Sequence, residues 1–229
     1  MPWRFQPALD EAILDLQGRP GTIGILFFGS ALNGTDGPTS DLDLYVVVGD
    51  EYPHRIEMGR YQGVEAEVHL APVSFWRSKL EEGRPVIIHA FATGQILMDS
   101  EAVLADLTAL AAAKLEAGPP APSQSDIDRW RYRLTDLAGD LEDVAGQPAD
   151  ERLLGAHLVT QALEAYCALH RLWGDKPKRL ISYVERHDPV LGGMARTFFA
   201  GDLDRHLAQT LVDRVLAPFG GPMGVWESP

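Results

Sequence analysis

Cysteine is almost absent. Cys167 is the single thiol in 229 residues, which excludes an internal disulfide and any zinc cluster built from cysteines. It falls in a helical apolar pattern and reads as a buried structural thiol rather than a nucleophile. Long apolar runs are also missing, so no segment is expected to cross a bilayer and no membrane partner is expected. The opening Met-Pro-Trp-Arg-Phe-Gln lacks the charged-then-apolar order of a secretion signal. Together with the missing disulfides, this predicts a cytoplasmic protein. Positive charge is scarce: 20 Lys and Arg stand against 33 Asp and Glu, a formal net charge of −13. Such a surface repels phosphate backbones, and general nucleic-acid binding is not expected. Smaller anions are still admitted, because a bound cation and a few local basic residues supply the attraction. The acidity also suits a cationic small molecule. No internal repeat is visible.

What is present is an ordinary globular apolar content of 45% in a chain long enough for one large domain or two small ones. Apolar residues at Leu9, Ile13 and Leu16 predict a helix over 7–16, broken by Gly18-Arg19-Pro20-Gly21. Residues 22–28 read as a buried strand, and Ser30 opens a short helix or caps it. Strands follow over 41–48, 54–61 and 64–70. In the last of these, Val64, Ala66, Val68 and Leu70 share one face, while Glu65, Glu67 and His69 share the other. Beyond Pro72 the pattern turns helical. Ser74 is a candidate cap for 75–80, and helices are expected over 86–93 and 101–117. Gly118-Pro119-Pro120-Ala121-Pro122-Ser123 is the clearest linker. Past it, helices are expected over 126–144, 151–173, 179–186, 190–199 and 203–216, with the tail around Gly220–Gly224 a loop or frayed end. The organisation expected is therefore residues 1–117 as a mixed α/β domain, 118–125 as a linker and 126–229 as an all-helical domain.

The most informative stretch is Phe27-Phe28-Gly29-Ser30, a polar loop, and then Asp41-Leu42-Asp43-Leu44. Strand alternation projects Asp41 and Asp43 from one face and sends Leu42 and Leu44 into the core. Two carboxylates that close repel unless a proton or cation lies between them, and a divalent metal is the natural neutraliser. This combination resembles the nucleotidyltransferase superfamily that includes DNA polymerase beta and kanamycin nucleotidyltransferase. The shared signature is an apolar strand, Gly-Ser, a loop, Asp-x-Asp on the next strand and a third carboxylate on a later one. The order of an α/β half followed by a helical half is similar to the antibiotic-modifying members. The resemblance implies an α+β fold: a small mixed β-sheet domain with flanking helices, followed by an all-α bundle.

It also implies a metal-dependent enzyme that moves a nucleoside monophosphate, AMP in the first instance, from a nucleoside triphosphate to an acceptor hydroxyl. The acceptor would be a small molecule of the aminoglycoside kind or a protein side chain. Transfer to a partner protein, as in antitoxin-like relatives, and non-catalytic nucleotide binding are the rival expectations. On this resemblance Asp41, Asp43 and Glu67 are the catalytic and metal-ligating residues of a two-magnesium site, with Asp43 bridging both ions. Glu65 competes with Glu67, because both leave the same face. Gly29 and Ser30 are expected at the triphosphate, with Asn33 and Ser40 in the connecting loop. Lys178, ahead of Lys176, is the candidate triphosphate ligand of the helical half. Arg77, Lys79 and Arg84 are further cations within possible reach. His69 reads as a hydrogen-bond partner on the carboxylate face, and His89 as a packed helix residue.

Overall fold

Strand alternation and helix periodicity are both realised in the computed structural model, which describes residues 3–227. The chain divides into two compact units, residues 1–117 and 118–229. In the first, the order is α1 (Gln6–Gln17), β1 (Thr22–Phe28), α2 (Ser30–Asn33), β2 (Leu42–Val48), β3 (Arg55–Tyr61), β4 (Val64–Pro72), α3 (Val73–Glu81), α4 (Pro85–Thr93), β5 (Gln95–Asp99) and α5 (Val103–Ala117). In the second come α6 (Gln124–Asp143), α7 (Pro148–Leu169), α8 (Pro177–His187), α9 (Pro189–Ala200), α10 (Arg205–Leu216) and a 3-10 turn over Ala217–Phe219. The fold is α+β, a mixed sheet followed by helices.

The strands form one sheet in the order β3-β4-β2-β1-β5. β2 and β4 run parallel, and the other neighbouring pairs are antiparallel. One face is closed by α1. There Phe5, Leu9 and Leu16 pack on Ile25, Phe27, Leu42, Leu44, Val46, Val68 and Leu70. Residues of opposite parity form the other face, where Tyr45 stacks on Trp76 at a ring-centroid distance of 4.4 Å and meets Phe91 at 5.6 Å. Trp76 and Phe91 come from α3 and α4 and are buried. The sheet is thus filled from both sides, and each fully buried large side chain contributes about 1.5–3 kcal/mol.

The second unit has its own core. Leu134, Leu141, Leu158, Leu163, Val184, Leu191, Phe198, Leu211 and Val215 meet there, one face from each helix. At Gly192 a Cβ would lie 2.4 Å from the Glu185 Cα, so glycine is what lets α8 and α9 approach. Cys167 is buried in this core, as a structural thiol.

Several local expectations need correction. Residues 95–99, where the sequence pattern predicts no element, form β5, which pairs with β1 as the opposite edge of the sheet from β3. Ser74 does not cap α3: Pro72 stands at the N-cap without a side-chain bond. Ser30 does not cap α2 either; Gly29 is the N-cap and Ser30 the first helical residue. Ser123, read as linker, caps α6 in a reciprocal capping box with Asp126, which moves the helix start upstream. The helix expected to reach Trp173 ends at Leu169. The tail is held, not loose: Arg131 donates to the carbonyls of Gly221 (2.7 Å) and Gly220 (2.9 Å), and the Met223 amide donates to Thr135 Oγ1 (3.0 Å).

Candidate active site

The site begins with a register. The parallel pairing of β2 with β4 puts Asp43 opposite Glu67, Leu42 opposite Ala66 and Tyr45 opposite His69. Neighbouring strands lie about 4.8 Å apart, so side chains opposite each other on one face are neighbours. Asp41 stands one residue before β2 begins. Asp41, Asp43 and Glu67 each present a carboxylate oxygen, and the three oxygens all lie within 4.8 Å of one another. All three residues are half-buried. Two ionised groups at that separation repel by about 3 kcal/mol at an effective dielectric near 20. The donor set is oxygen only, which is what hard divalent cations such as magnesium take.

Gly29 closes the site from below. Its backbone has φ 88° and ψ −163°, a combination that side-chain-bearing residues essentially never adopt. A Cβ there would lie 1.9 Å from Asp43 Oδ2. The glycine therefore lets the chain pass under the Asp43 carboxylate, a cradle that any side chain would fill. The acidic set and the glycine beneath it fit a divalent cation held by Asp41, Asp43 and Glu67.

Ser30 follows at the start of α2 and is buried. Its hydroxyl donates to Ser40 Oγ (3.1 Å), which also accepts from the Gly37 amide (2.9 Å). The loop between the Gly-Ser pair and the aspartates is thereby closed on itself, and Ser40 is tied to it. Asn33 is exposed, and its amide donates to the Gly29 carbonyl. A cleft of about 330 Å³ opens beside Ser40, between Arg4 and Arg60. Both guanidiniums are engaged by acids, Arg4 by Asp36 and Arg60 by Glu65.

Sequence alternation left Glu65 and Glu67 equal, and the sheet separates them. Glu67 joins the aspartates, whereas Glu65 is exposed and pairs with Arg60 across the β3–β4 hairpin at 2.7 Å. His69, two residues along β4, lies 2.6 Å from Glu67 Oε1 through Nε2. The Tyr45 ring meets His69 edge-on, with centroids 5.4 Å apart. Burial, and then the charges of Asp43 and Glu67, push the Tyr45 phenol well above its ordinary value, so it stays neutral. His54 stacks on Phe75 at 4.3 Å. Burial, with His69 and Lys79 nearby, lowers its tendency to carry a proton.

The other named cations are placed less suggestively. Lys79 and Arg84 both pair with Glu82, at 2.6 and 3.2 Å, and Arg77 is exposed on α3. Lys178 is exposed in the first turn of α8, in the second unit. It forms no ion pair among the described residues, and Lys176 is the N-cap of the same helix. His89 lies in α4, which packs on the sheet. Residues that single-sequence reading did not attach to the site are Tyr45 and His54. For Tyr45 the signal was present, since it shares parity with Asp43 on an otherwise apolar strand. For His54 there was none. No helix among the described residues is long and apolar enough to cross a membrane.

No curated protein matches the chain. Among solved structures, a nucleotidyltransferase-like protein from Exiguobacterium sibiricum matches with a TM-score of 0.52 at 15% sequence identity, over 92% of this chain and 74% of that one. At that identity the likeness is one of fold. Residues 9–97 match the family model of the nucleotidyltransferase domain, a span that contains Gly29, Ser30, Asp41, Asp43 and Glu67. The first unit of this chain carries a nucleotidyltransferase domain.

Proposed function

We propose that the protein transfers AMP from ATP to a hydroxyl of a small, cationic, aminoglycoside-like acceptor and releases pyrophosphate. In that reaction the acceptor oxygen forms a bond to the α-phosphorus, the bond from that phosphorus to the bridging oxygen of pyrophosphate breaks, and the acceptor proton passes to a base. The observation that carries the reading is the meeting of Asp41, Asp43 and Glu67 oxygens within 4.8 Å, beside a glycine where a Cβ would strike Asp43. These three residues would hold magnesium. Bound there, the metal would neutralise phosphate charge and align the attacking and leaving oxygens.

The chain's own residues do the rest by position. Gly29 lets phosphate oxygens approach the backbone. Ser30, anchored through Ser40, offers a hydroxyl beside the same loop. Lys178, an exposed cation, is assigned to the triphosphate on resemblance to the antibiotic-modifying enzymes. The cationic nature of the acceptor is supported by the net charge of −13, which favours encounter with positively charged molecules.

The test is label transfer. The protein is incubated with magnesium, each α-labelled nucleoside triphosphate in turn, and a panel of aminoglycosides. Label from ATP should move to the small molecule, and Asp43→Asn should lower the rate about 100- to 1,000-fold, on the order expected when a transition-state charge clamp is lost. Transfer that survives in Asp43→Asn refutes the metal assignment. Label that appears on protein rather than on the small molecule refutes the acceptor.

A further inference from the structure

We propose that His69 is a positioning residue that fixes Glu67 for cation binding, by holding its Oε1. The inference rests on the reading of Asp41, Asp43 and Glu67 as a metal site and adds to it a fourth residue that touches no ligand.

The geometry comes from β4 itself. Residues i and i+2 of a strand project from the same face about 6.6 Å apart along the chain, so the backbone delivers His69 beside Glu67 without help from another element. The distance from Nε2 to Glu67 Oε1 is 2.6 Å. A carboxylate only accepts, so Nε2 carries the hydrogen and donates it. The imidazole is not free to swing away. Tyr45, almost fully buried on the neighbouring strand, meets it edge-on at 5.4 Å, and the His54 ring lies 6.2 Å away. His54 is itself stacked on Phe75. His69 thus has aromatic rings as neighbours, with its Nε2 bond directed at the metal-site glutamate.

The chemical need is specific to Glu67. Asp41 and Asp43 have short side chains on one segment, but a glutamate has an additional rotatable bond and two like-charged groups to avoid. Unrestrained, it would turn outward, away from its two acidic neighbours. A charge-assisted hydrogen bond that holds one oxygen removes that freedom before any cation arrives. Outer partners that orient metal ligands in this way are worth about 10- to 100-fold in metal affinity.

The experiment measures manganese binding by electron paramagnetic resonance, using the full chain and the metal ion alone. Wild type should bind, and Asp43→Asn should lose binding. His69→Leu should bind about 10- to 100-fold more weakly. His69→Gln, whose side-chain amide still donates, should recover most of the loss. Circular dichroism melts of all four proteins check that the N-terminal unit stays folded. If His69→Leu binds manganese as wild type does, while Asp43→Asn does not, the metal site stands and the role given to His69 is wrong. If folded His69→Gln binds as weakly as His69→Leu, the hydrogen bond is not the cause and the inference also fails. If wild type itself does not bind, the metal reading falls and the inference falls with it.

Discussion

Replacing Gly29 with alanine tests the site and the fold together. Two separate penalties are expected. The first is conformational: the backbone at φ 88° and ψ −163° lies in a region that costs any residue with a Cβ about 1–3 kcal/mol. The second is steric. The new methyl would lie 1.9 Å from Asp43 Oδ2 and 2.7 Å from its Cγ, so the carboxylate must retreat by about 1.5 Å to regain ordinary van der Waals contact. The first penalty is a loss of stability, about 4 °C of melting temperature per kcal/mol for a unit of this size. A fall of about 4–12 °C is therefore expected in calorimetry of Gly29→Ala. The second penalty acts on chemistry. Once Asp43 is displaced, its oxygen leaves the cluster, and manganese binding should be lost even in protein that remains folded. Gly34→Ala is the matched control. Gly34 also has a positive φ, 66°, but nothing lies within 4 Å of its added Cβ, so it should lose about 1–2 kcal/mol of stability and keep its manganese affinity. If Gly29→Ala melts with wild type and binds manganese equally well, the close passage of the chain beneath Asp43 is wrong, and the cradle argument is wrong with it.

Two further predictions concern the helical unit. Burial, with Glu164 nearby, pushes the Cys167 thiol up to about 12; the native protein should resist a thiol reagent at pH 8 and react once unfolded in guanidinium. Between its unfolded value near 9 and about 12 the unfolded chain loses this proton and the native chain keeps it. Stability should therefore fall across that window, and the urea-midpoint gap between wild type and Cys167→Ala should narrow as pH rises through it. Asp188 accepts from the Val190 and Leu191 amides at the start of α9 and from Arg214 at 3.0 Å. Burial alone would raise its pKa, but the Leu191 amide and Arg214 outweigh it and hold the carboxyl below its usual 3.8. Its stabilisation is therefore complete above that value and lost as pH falls through the lower folded one. Asp188→Ala should cost about 1–2 kcal/mol at pH 6, and urea titrations should show the gap to wild type closing in strong acid.

Much of the site was legible because its grammar is local. A Gly-Ser pair after an apolar strand and two aspartates two residues apart are statements about neighbours in the chain, and strand alternation converts them directly into a shared face. The same rule put Glu65, Glu67 and His69 on one side of β4. Where signals were weak or misplaced, the reading slipped. Gln95–Asp99 is too short to show a period, and it becomes a strand because β1 offers an open edge. Ser74 has a capping side chain, but Pro72 already ends the strand and starts α3. The glycine-rich tail shows no helical or strand period; it is held by Arg131, about ninety residues away.

The amino-acid order alone therefore determined which side chains share a face, where β1 to β4 and most helices run, and that acids would gather after the Gly-Ser turn. All of these follow from the two- and 3.6-residue repeats of the backbone. Only the tertiary structure put Glu67, and not Glu65, beside the aspartates, brought His69 to hydrogen-bond distance of Glu67 and set Tyr45 against His69. Those outcomes depend on the register of β4 against β2, and register is set by how two segments more than twenty residues apart pack on a common core. A one-residue slip in that pairing would turn every β4 side chain to the opposite face, and the three carboxylates would no longer meet.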